Sequence, residues 1–329
     1  MGYYLHSGYH QAKLASSRRP IEKVLTENKL SDEEKRKLRL VQEVKAFGEQ
    51  QLGLKKSSNY TTFVQLEEPY VTYIVQAAHI FELKPYLWHF PFVGDVPYKG
   101  YFKKSLAEEE ARSFDRERYD TYVRGVSAYS TLGWFQDSVL SSMLRYEDID
   151  LTETILHESI HTTLFIKSAA EFNERLATFM GHTGMLLFYT QKEGTGSPHL
   201  KAATEDSQDQ ELFSKFLTEE LEQLKKWYEA NKGQVTRETK AQRLAEIQTR
   251  FKEQIRPRLK SKGYLEFEKR ELNNALLLAY KTYEYSLEDF AKLYAIFKND
   301  FFQTMQWLKG LEGDPHPEAT LKAFVQNSR

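Results

Sequence analysis

The 329-residue sequence contains no cysteine. Disulfide bonds, thiolate nucleophiles and thiolate metal ligands are therefore excluded, so a bound metal ion would have to be held by His, Asp or Glu side chains. The sequence also lacks any run of about 18 consecutive apolar residues, the length that a membrane-spanning helix needs. We therefore expect no transmembrane segment in this chain.

A large excess of charge of one sign is missing as well. Lys and Arg number 46 and Asp and Glu number 47, so the formal net charge is only −1. A nearly neutral chain has no overall field that would attract nucleic acid or an anionic membrane surface. Nucleic acid is therefore not an expected partner.

The first 135 residues mix helical and strand patterns. Ser31 and Glu34 match a capping box, and apolar residues follow at helical spacing, which predicts a helix there. Residues 60–102 are rich in β-branched and aromatic residues broken by Pro and Gly, which predicts short strands and tight turns. A charged helix over residues 103–119 and a strand over residues 122–135 are expected next.

The residues with the clearest chemistry are His157, Glu158 and His161, which form a His-Glu-x-x-His motif. Asp150 and Glu153 resemble a second capping box, so we expect a helix to begin there and to carry the motif. Two histidines four residues apart lie on one face of a helix and can bind one Zn²⁺ ion, whereas the glutamate between them can reach a metal-bound water. The pattern is typical of zinc hydrolases.

A third metal ligand is expected on the next helix, which we predict from about residue 171 to residue 188. Glu174 follows His161 after twelve residues and completes a set of two histidines and one glutamate, leaving a fourth position for water. Glu171, one turn earlier, and His182, which would make a site of three histidines, are alternatives.

Residues 190–208 are rich in small and polar residues, which predicts an exposed loop or a boundary between lobes. Two helical stripes of apolar residues predict an antiparallel hairpin over residues 209–258. Residues 271–311 are again helical and apolar enough to return to the core. We therefore predict a catalytic part over residues 1–190 and a C-terminal helical lobe over residues 191–329.

The zinc motif together with Asn173, Glu174 and Ala177 resembles the gluzincins, the zinc peptidases that include thermolysin and aminopeptidase N. Their third ligand is a glutamate on a following helix, but the connection in this chain is shorter. The position four residues after Glu174 is Thr178, where thermolysin-like enzymes have an aspartate that supports a histidine ligand. Support for the histidines must therefore be of a different kind or come from elsewhere.

A closer resemblance covers most of the chain. It is to the bacterial family of predicted aminopeptidases, and it is carried by five ordered segments: residues 90–102, 125–135, 156–161, 172–181, and 273–275 with Tyr283. The resemblance implies a predominantly helical α+β fold, with a gluzincin-like core formed by a small sheet, the motif helix and the ligand helix. The charged hairpin would be added to this core.

The resemblance also implies a location in the bacterial cell envelope or periplasm. Members of the family usually begin with a lipoprotein signal that ends in a cysteine, whereas this chain begins at Met1 without one. We therefore expect a precursor that carries a lipid anchor upstream of Met1.

These features predict a zinc-dependent peptidase with peptide or protein substrates, in which Glu158 is the general base. Tyr283 and then Tyr280 are candidates to stabilise the oxyanion, because gluzincins often use a Tyr or His from a later helix. The candidate substrate strand is formed by Ala128, Tyr129, Ser130, Thr131, Leu132, Gly133 and Trp134.

Three functional alternatives stay open at this point. The chain could be an aminopeptidase, as the family description implies, although no residue is assigned to the α-amine of a substrate. It could be an endopeptidase on envelope or peptidoglycan-linked peptides. It could also be a non-catalytic zinc-containing scaffold that uses the hairpin of residues 209–258 to bind a partner.

Overall fold

A computed structural model describes residues 10, 12–90, 94–127, 137–281 and 286–328. The chain forms two compact units, and each consists of separate stretches of sequence. Unit 1 comprises Met1–Ser7, Glu68–Ser127 and Ala202–Glu284, and unit 2 comprises Gly8–Glu67, Ala128–Lys201 and Tyr285–Arg329. The boundary predicted at residue 190 stays a prediction.

The described part of the chain is mostly helical with small sheets, which confirms the expected α+β class. The main elements follow in this order: β1 (Arg19–Pro20), α1 (Ile21–Leu25), α2 (Asp32–Gln50), β2 (Thr62–Val64), β3 (Thr72–His79), β4 (Trp88–Phe90), β5 (Gly94–Val96), β6 (Lys99–Tyr101), α3 (Lys104–Ser113), β7 (Tyr119–Val126), β8 (Val139–Leu140), α4 (Asp148–Thr163), α5 (Ala170–Glu193), α6 (Pro198–Ala230), α7 (Arg237–Arg250), α8 (Asn274–Lys281), α9 (Glu288–Ile296), α10 (Phe301–Lys309) and α11 (Pro317–Asn327). Among the described residues, no helix is both long and apolar enough to span a membrane.

In unit 2, helices α4 and α5 pack side by side and α2 packs against α4. Leu156 on α4 is buried, and small residues of both neighbouring helices face it. A Cβ atom at Gly48 of α2 would lie 3.3 Å from the Leu156 side chain, and one at Gly184 of α5 would lie 3.2 Å from it. Glycine at both positions therefore allows the three helices to approach closely. A small sheet of β1, β2 and β8 completes this unit, with β2 in the middle.

The start of α2 is as the sequence predicts, but the start of α4 is not. The Ser31 side chain accepts a hydrogen bond from the Glu34 amide, and the Glu34 carboxylate accepts one from the Ser31 amide, which confirms the capping box. Helix α4 begins at Asp148, two residues before the predicted capping position, and has no side-chain cap. Its Asp148 carboxylate instead accepts two hydrogen bonds from Arg36 on α2, at 2.6 and 2.7 Å. A contact between helices therefore fixes this end.

The loop predicted over residues 190–208 is wrong for most of its length. Helix α5 continues to Glu193 and α6 begins at Pro198, so only four residues connect them. The Ser197 hydroxyl accepts hydrogen bonds from the amides of His199 and Leu200, at 3.1 and 3.3 Å. Ser followed by Pro is a helix-start signal. The serine hydroxyl accepts hydrogen bonds from the free amides of the first turn, and proline has no backbone N–H that would need a partner there.

Unit 1 contains an antiparallel sheet of β6, β3 and β7 with β3 in the centre, so the expected strands after residue 60 are present. The described β7 ends at Val126, and the rest of the strand predicted to residue 135 lies outside the described residues. Helices α6 and α7 overlap residues 209–258, for which a helical hairpin is predicted, and bury their apolar stripes in one core. The bidentate contact of Arg250 on α7 with Glu220 on α6, at 2.5 and 2.6 Å, also joins the two helices.

Candidate metal centre

Helices α4 and α5 bring three side chains of unit 2 together: His157, His161 and Glu174. The Nε2 atoms of the two histidines are 3.1 Å apart. The Glu174 carboxylate oxygens lie 3.6 Å from His157 Nε2 and 3.3 Å from His161 Nε2. The side chain of His161 is 4% exposed and that of Glu174 is 45% exposed, so the cluster is closed on the protein side and open on the other.

These distances match what a small tetrahedral cation requires. With ligand distances of about 2.0–2.1 Å, the corners of a tetrahedron are about 3.3–3.4 Å apart. The observed separations of 3.1, 3.3 and 3.6 Å bracket that value. The three side chains could therefore hold one metal ion through one donor atom each and leave its fourth position open to solvent.

The charges of the cluster support each other. Contacts with His157 and then with His161 lower the pKa of the Glu174 carboxyl to about 2. Burial lowers the pKa of His157, but the contact with Glu174 and the negative charges of Glu158, Glu174 and Glu153 outweigh burial, so the net pKa is raised. An excess of negative charge therefore surrounds the histidines, which favours a bound cation.

The two alternative third ligands lie elsewhere. Glu171 is exposed in the first turn of α5. His182 Nδ1 lies 3.0 Å from the Glu153 carboxylate, and this contact raises the pKa of His182 although burial alone would lower it. Glu153 thus contacts His182 and does not form the capping box predicted with Asp150. Neither Glu171 nor His182 belongs to the cluster.

A buried asparagine holds the short connection between α4 and α5. The Asn173 side chain is fully buried; its oxygen accepts a hydrogen bond from the Ile166 amide at 2.9 Å, and its amide donates one to the Ile166 carbonyl at 2.8 Å. Ser168 in this connection has a φ of 63°, a left-handed conformation that is uncommon for a non-glycine residue. Only twelve residues separate His161 from Glu174, so the turn between the helices is tight. Asn173, which directly precedes Glu174, holds this turn in place.

The residue after Glu174 is anchored as well. Arg175 is 7% exposed; its Nε donates to the Ser286 carbonyl at 2.8 Å and its Nη1 contacts the Glu318 carboxylate at 2.7 Å. Its guanidinium also lies over the Phe290 ring. Glu174 is thus flanked by two buried polar side chains, each fixed to a different part of unit 2.

Gly181 sets the distance between the two helices at the cluster. A Cβ atom at this position would lie 3.0 Å from both the Cα and the amide nitrogen of His157. Backbone atoms cannot move away as the end of a flexible side chain can, so any larger residue would push the helices apart. Position 181 therefore requires glycine, because the backbone of His157, a candidate metal ligand, lies directly against it.

Glu158 lies on α4 with one carboxylate oxygen buried, in the neighbourhood of Tyr60. Tyr60 is 4% exposed and has a left-handed φ of 59°. Burial raises the pKa of Tyr60 well above its ordinary value, and the negative charges of Glu158 and Asp137 add to this effect. Sequence reasoning missed Tyr60, Gly181 and the role of Asn173, because their partners are backbone groups or residues distant in sequence.

Of the remaining candidate residues, the structure describes Tyr280. Tyr280 is in unit 1, where its ring packs against Phe213 and Phe267 at centroid distances of 5.4 and 5.6 Å. Tyr283 and the substrate strand of residues 128–134 lie outside the described residues. Their functional roles stay predictions.

The chain combines a helical α+β fold with two histidines and one glutamate that could hold a metal ion. It matches the family described as "putative aminopeptidase" over residues 2–322 and belongs to that family. Searches among curated proteins and among solved structures gave no match. The family description indicates a peptidase with peptide substrates.

Replacing Asn173 by Ala should destabilise the metal-free protein by about 2–4 kcal/mol, because two buried backbone groups of Ile166 lose their partner. It should also weaken binding of Zn²⁺ as a probe ion by about ten- to hundredfold. Thermal unfolding and a chelator competition titration measure the two effects. Asn173→Asp keeps the acceptor and should have a smaller effect, whereas equal metal affinity of Asn173→Ala and the unchanged protein would contradict the assigned role.

Gly181→Ala should cost about 1–3 kcal/mol of stability and should weaken Zn²⁺ binding, because the added methyl group collides with the His157 backbone. Gly196→Ala is the matched control, since a Cβ atom at Gly196 meets nothing within 4 Å. The same two titrations apply. If both variants bind the ion as tightly as the unchanged protein, the close approach at Gly181 does not set the ligand geometry.

Proposed function

We propose that this protein is a zinc-dependent peptidase whose metal ligands are His157, His161 and Glu174. The observation that carries the proposal is the convergence of three side chains: the two histidine Nε2 atoms are 3.1 Å apart, and each lies 3.3–3.6 Å from a carboxylate oxygen of Glu174. Family membership supports the peptidase class, and the donor set supports the metal. Zinc is the ion proposed because two imidazoles and one carboxylate, with a fourth position open, are typical of catalytic zinc sites.

Zinc bound at these ligands would act as a Lewis acid that lowers the pKa of a coordinated water. The residue proposed to take the proton from the attacking water is Glu158, which is adjacent in sequence to His157. Glu158 would then return the proton to the leaving amine as the peptide bond breaks. A scaffold that only bound zinc would not need a carboxylate at this position.

The family description bears on which peptide bond of a substrate is cleaved. Aminopeptidase action is the form that the family description favours, and it requires a group that binds the free α-amine of the substrate. The alternative of an endopeptidase on envelope or peptidoglycan-linked peptides needs an open cleft at both ends. Hydrolysis of matched peptides with free and acetylated amino termini discriminates the two. The envelope location and the lipid anchor stay predictions.

The proposed roles are separable by variants. Glu158→Gln should keep one Zn²⁺ per chain, measured by metal analysis, but should lower kcat for peptide hydrolysis by at least about a hundredfold. Glu174→Gln should lose the metal as well as the activity, whereas Glu171→Gln, a neighbouring exposed carboxylate, should keep both. Full hydrolysis by the zinc-loaded Glu158→Gln variant would exclude the mechanism.

Zinc affinity should fall as the pH is lowered through about 6.5, and the fall should begin above that value. His157 must be neutral to bind zinc, and its raised pKa keeps it protonated at a higher pH than an ordinary histidine. Glu174, with a pKa of about 2, stays ionised throughout this range. Competition titrations between pH 5.5 and 8 measure the profile. Glu153→Gln removes one of the negative charges that raise the pKa and should shift the profile to lower pH, whereas an unshifted profile would contradict this assignment.

A further inference from the structure

Unit 1 contains an open cavity of about 720 Å³ that none of the proposed zinc ligands lines. Its walls are the turn after β3 and the last turns of α6 with the residues that follow. Sites for small molecules typically have volumes of about 300–1,000 Å³, so this cavity has room for a small ligand.

One part of the cavity lining is apolar. Ile80, Phe81 and Leu83 come from the turn after β3, and Tyr228 and Val235 come from α6 and the connection to α7. Ile80 and Tyr228 are buried, and Phe81, Leu83 and Val235 are half-buried. An apolar group of a ligand that covered these side chains would be stabilised by removal of its surface from water.

The rim of the cavity is positively charged. Lys84, Arg118, Lys225 and Lys232 line it together with two carboxylates, Glu82 and Glu229, which leaves an excess of two positive charges. The chain as a whole has a formal net charge of −1, so positive charge is locally concentrated at the cavity. Within the described ranges of the chain, none of these four cations forms a salt bridge.

Three other cations of the hairpin form salt bridges. Lys240 contacts Asp120 at 2.5 Å, Arg237 contacts Glu117 at 3.0 Å, and Arg250 binds Glu220. Salt bridges therefore neutralise these three cations, whereas the exposed Lys215 and Lys226 of α6 form none in the described part of the chain. The cations around the cavity differ from Lys215 and Lys226 because they surround an apolar recess, where an anionic ligand would supply the missing charge.

A single buried side chain fixes the two walls of the cavity. Asn274 is 0% exposed, and its amide nitrogen lies within hydrogen-bond distance of the carbonyls of His79, Ile80 and Glu82, at 2.8, 3.1 and 3.2 Å. Its oxygen accepts a hydrogen bond from the Tyr228 hydroxyl at 3.0 Å. The turn and α6 are thus linked without a ligand, and a preformed site loses less entropy on binding.

We propose that this cavity binds a small amphipathic carboxylate, in the form of the free C-terminal apolar residue of a short peptide. The apolar lining would take the side chain and the cationic rim would take the carboxylate. The choice of a peptide carboxylate rests on the peptidase function, because peptides and their cleavage products carry this group. The cavity itself does not depend on the zinc centre.

The test uses the whole chain, metal-free after chelation, and a matched pair of probes, N-acetyl-L-leucine and its amide. Calorimetric titration should show that the acid binds at least about tenfold more tightly than the amide, because only the acid carries the charge that the rim attracts. Equal affinity of the two probes, or no saturable binding of the acid, would overturn the proposal.

A pair of double variants locates the binding. Lys225→Gln/Lys232→Gln removes two cations of the rim and should lower the affinity for the acid about tenfold, without changing that for the amide. Lys215→Gln/Lys226→Gln removes two exposed cations of α6 that do not line the cavity, and should leave both affinities unchanged. An equal loss in the two double variants would mean that only the net charge matters and would refute a site at the cavity.

Two further measurements separate this proposal from the zinc mechanism. Zinc-loaded Glu158→Gln protein should bind the acid at the cavity as the metal-free chain does, so a loss of peptidase activity leaves the binding result intact. Conversely, an active enzyme in which the Lys225→Gln/Lys232→Gln variant binds the acid normally would refute the cavity site alone. Thermal unfolding of each variant verifies that it is folded.

Discussion

The proposed metal centre depends on how closely helices α4 and α5 approach each other at His157. Two histidines on one helix face are fixed relative to each other by the helix itself, but the third donor belongs to another helix and must be placed to within a fraction of an ångström. Gly181 allows the backbones to meet at His157, and Gly184 and Leu156 continue the contact one turn further. Without this contact, Glu174 would have no fixed distance from the histidines.

The short connection between the helices imposes a second condition. Only Leu164–Ala169 lie between them, so the chain must reverse within a few residues, one of which has a left-handed backbone. Asn173 satisfies both backbone groups of Ile166 inside this turn, where water cannot replace it. Hydrogen bonds of a buried polar side chain add little net stability, because they replace hydrogen bonds to water in the unfolded chain. They do fix the local geometry, because any other arrangement would leave a buried polar group without a partner.

Much of unit 2 near the cluster could be predicted from local patterns. The capping box at Ser31 was sufficient to place the start of α2, and the spacing of His157 and His161 was sufficient to place both on one helix face. Such predictions succeed because the helix period fixes which residues share a face. They needed no information about the rest of the chain. Glu174, on the next helix, was preferred over Glu171 and His182 because its neighbours match the pattern of known zinc peptidases.

Predictions failed where a distant residue decides the outcome. Helix α4 begins at Asp148 because Arg36 binds it, and Glu153 pairs with His182 instead of capping the helix. The start of α6 was missed for a different reason, because the Ser197–Pro198 signal was hidden in a stretch of small residues that resembles a loop. The importance of Gly181 could not be predicted, since its partner is a backbone that no sequence spacing identifies.

The anchoring of Arg175 also has a consequence for protein synthesis. The residue next to Glu174 makes its polar contacts with Ser286 and Glu318, which are more than a hundred positions later in the chain. A ribosome that has just released α4 and α5 has therefore not yet made the partners of Arg175. In a partly synthesised chain the Asn173 contacts could form but those of Arg175 could not, so the anchoring of the proposed metal centre would be complete only near the end of translation.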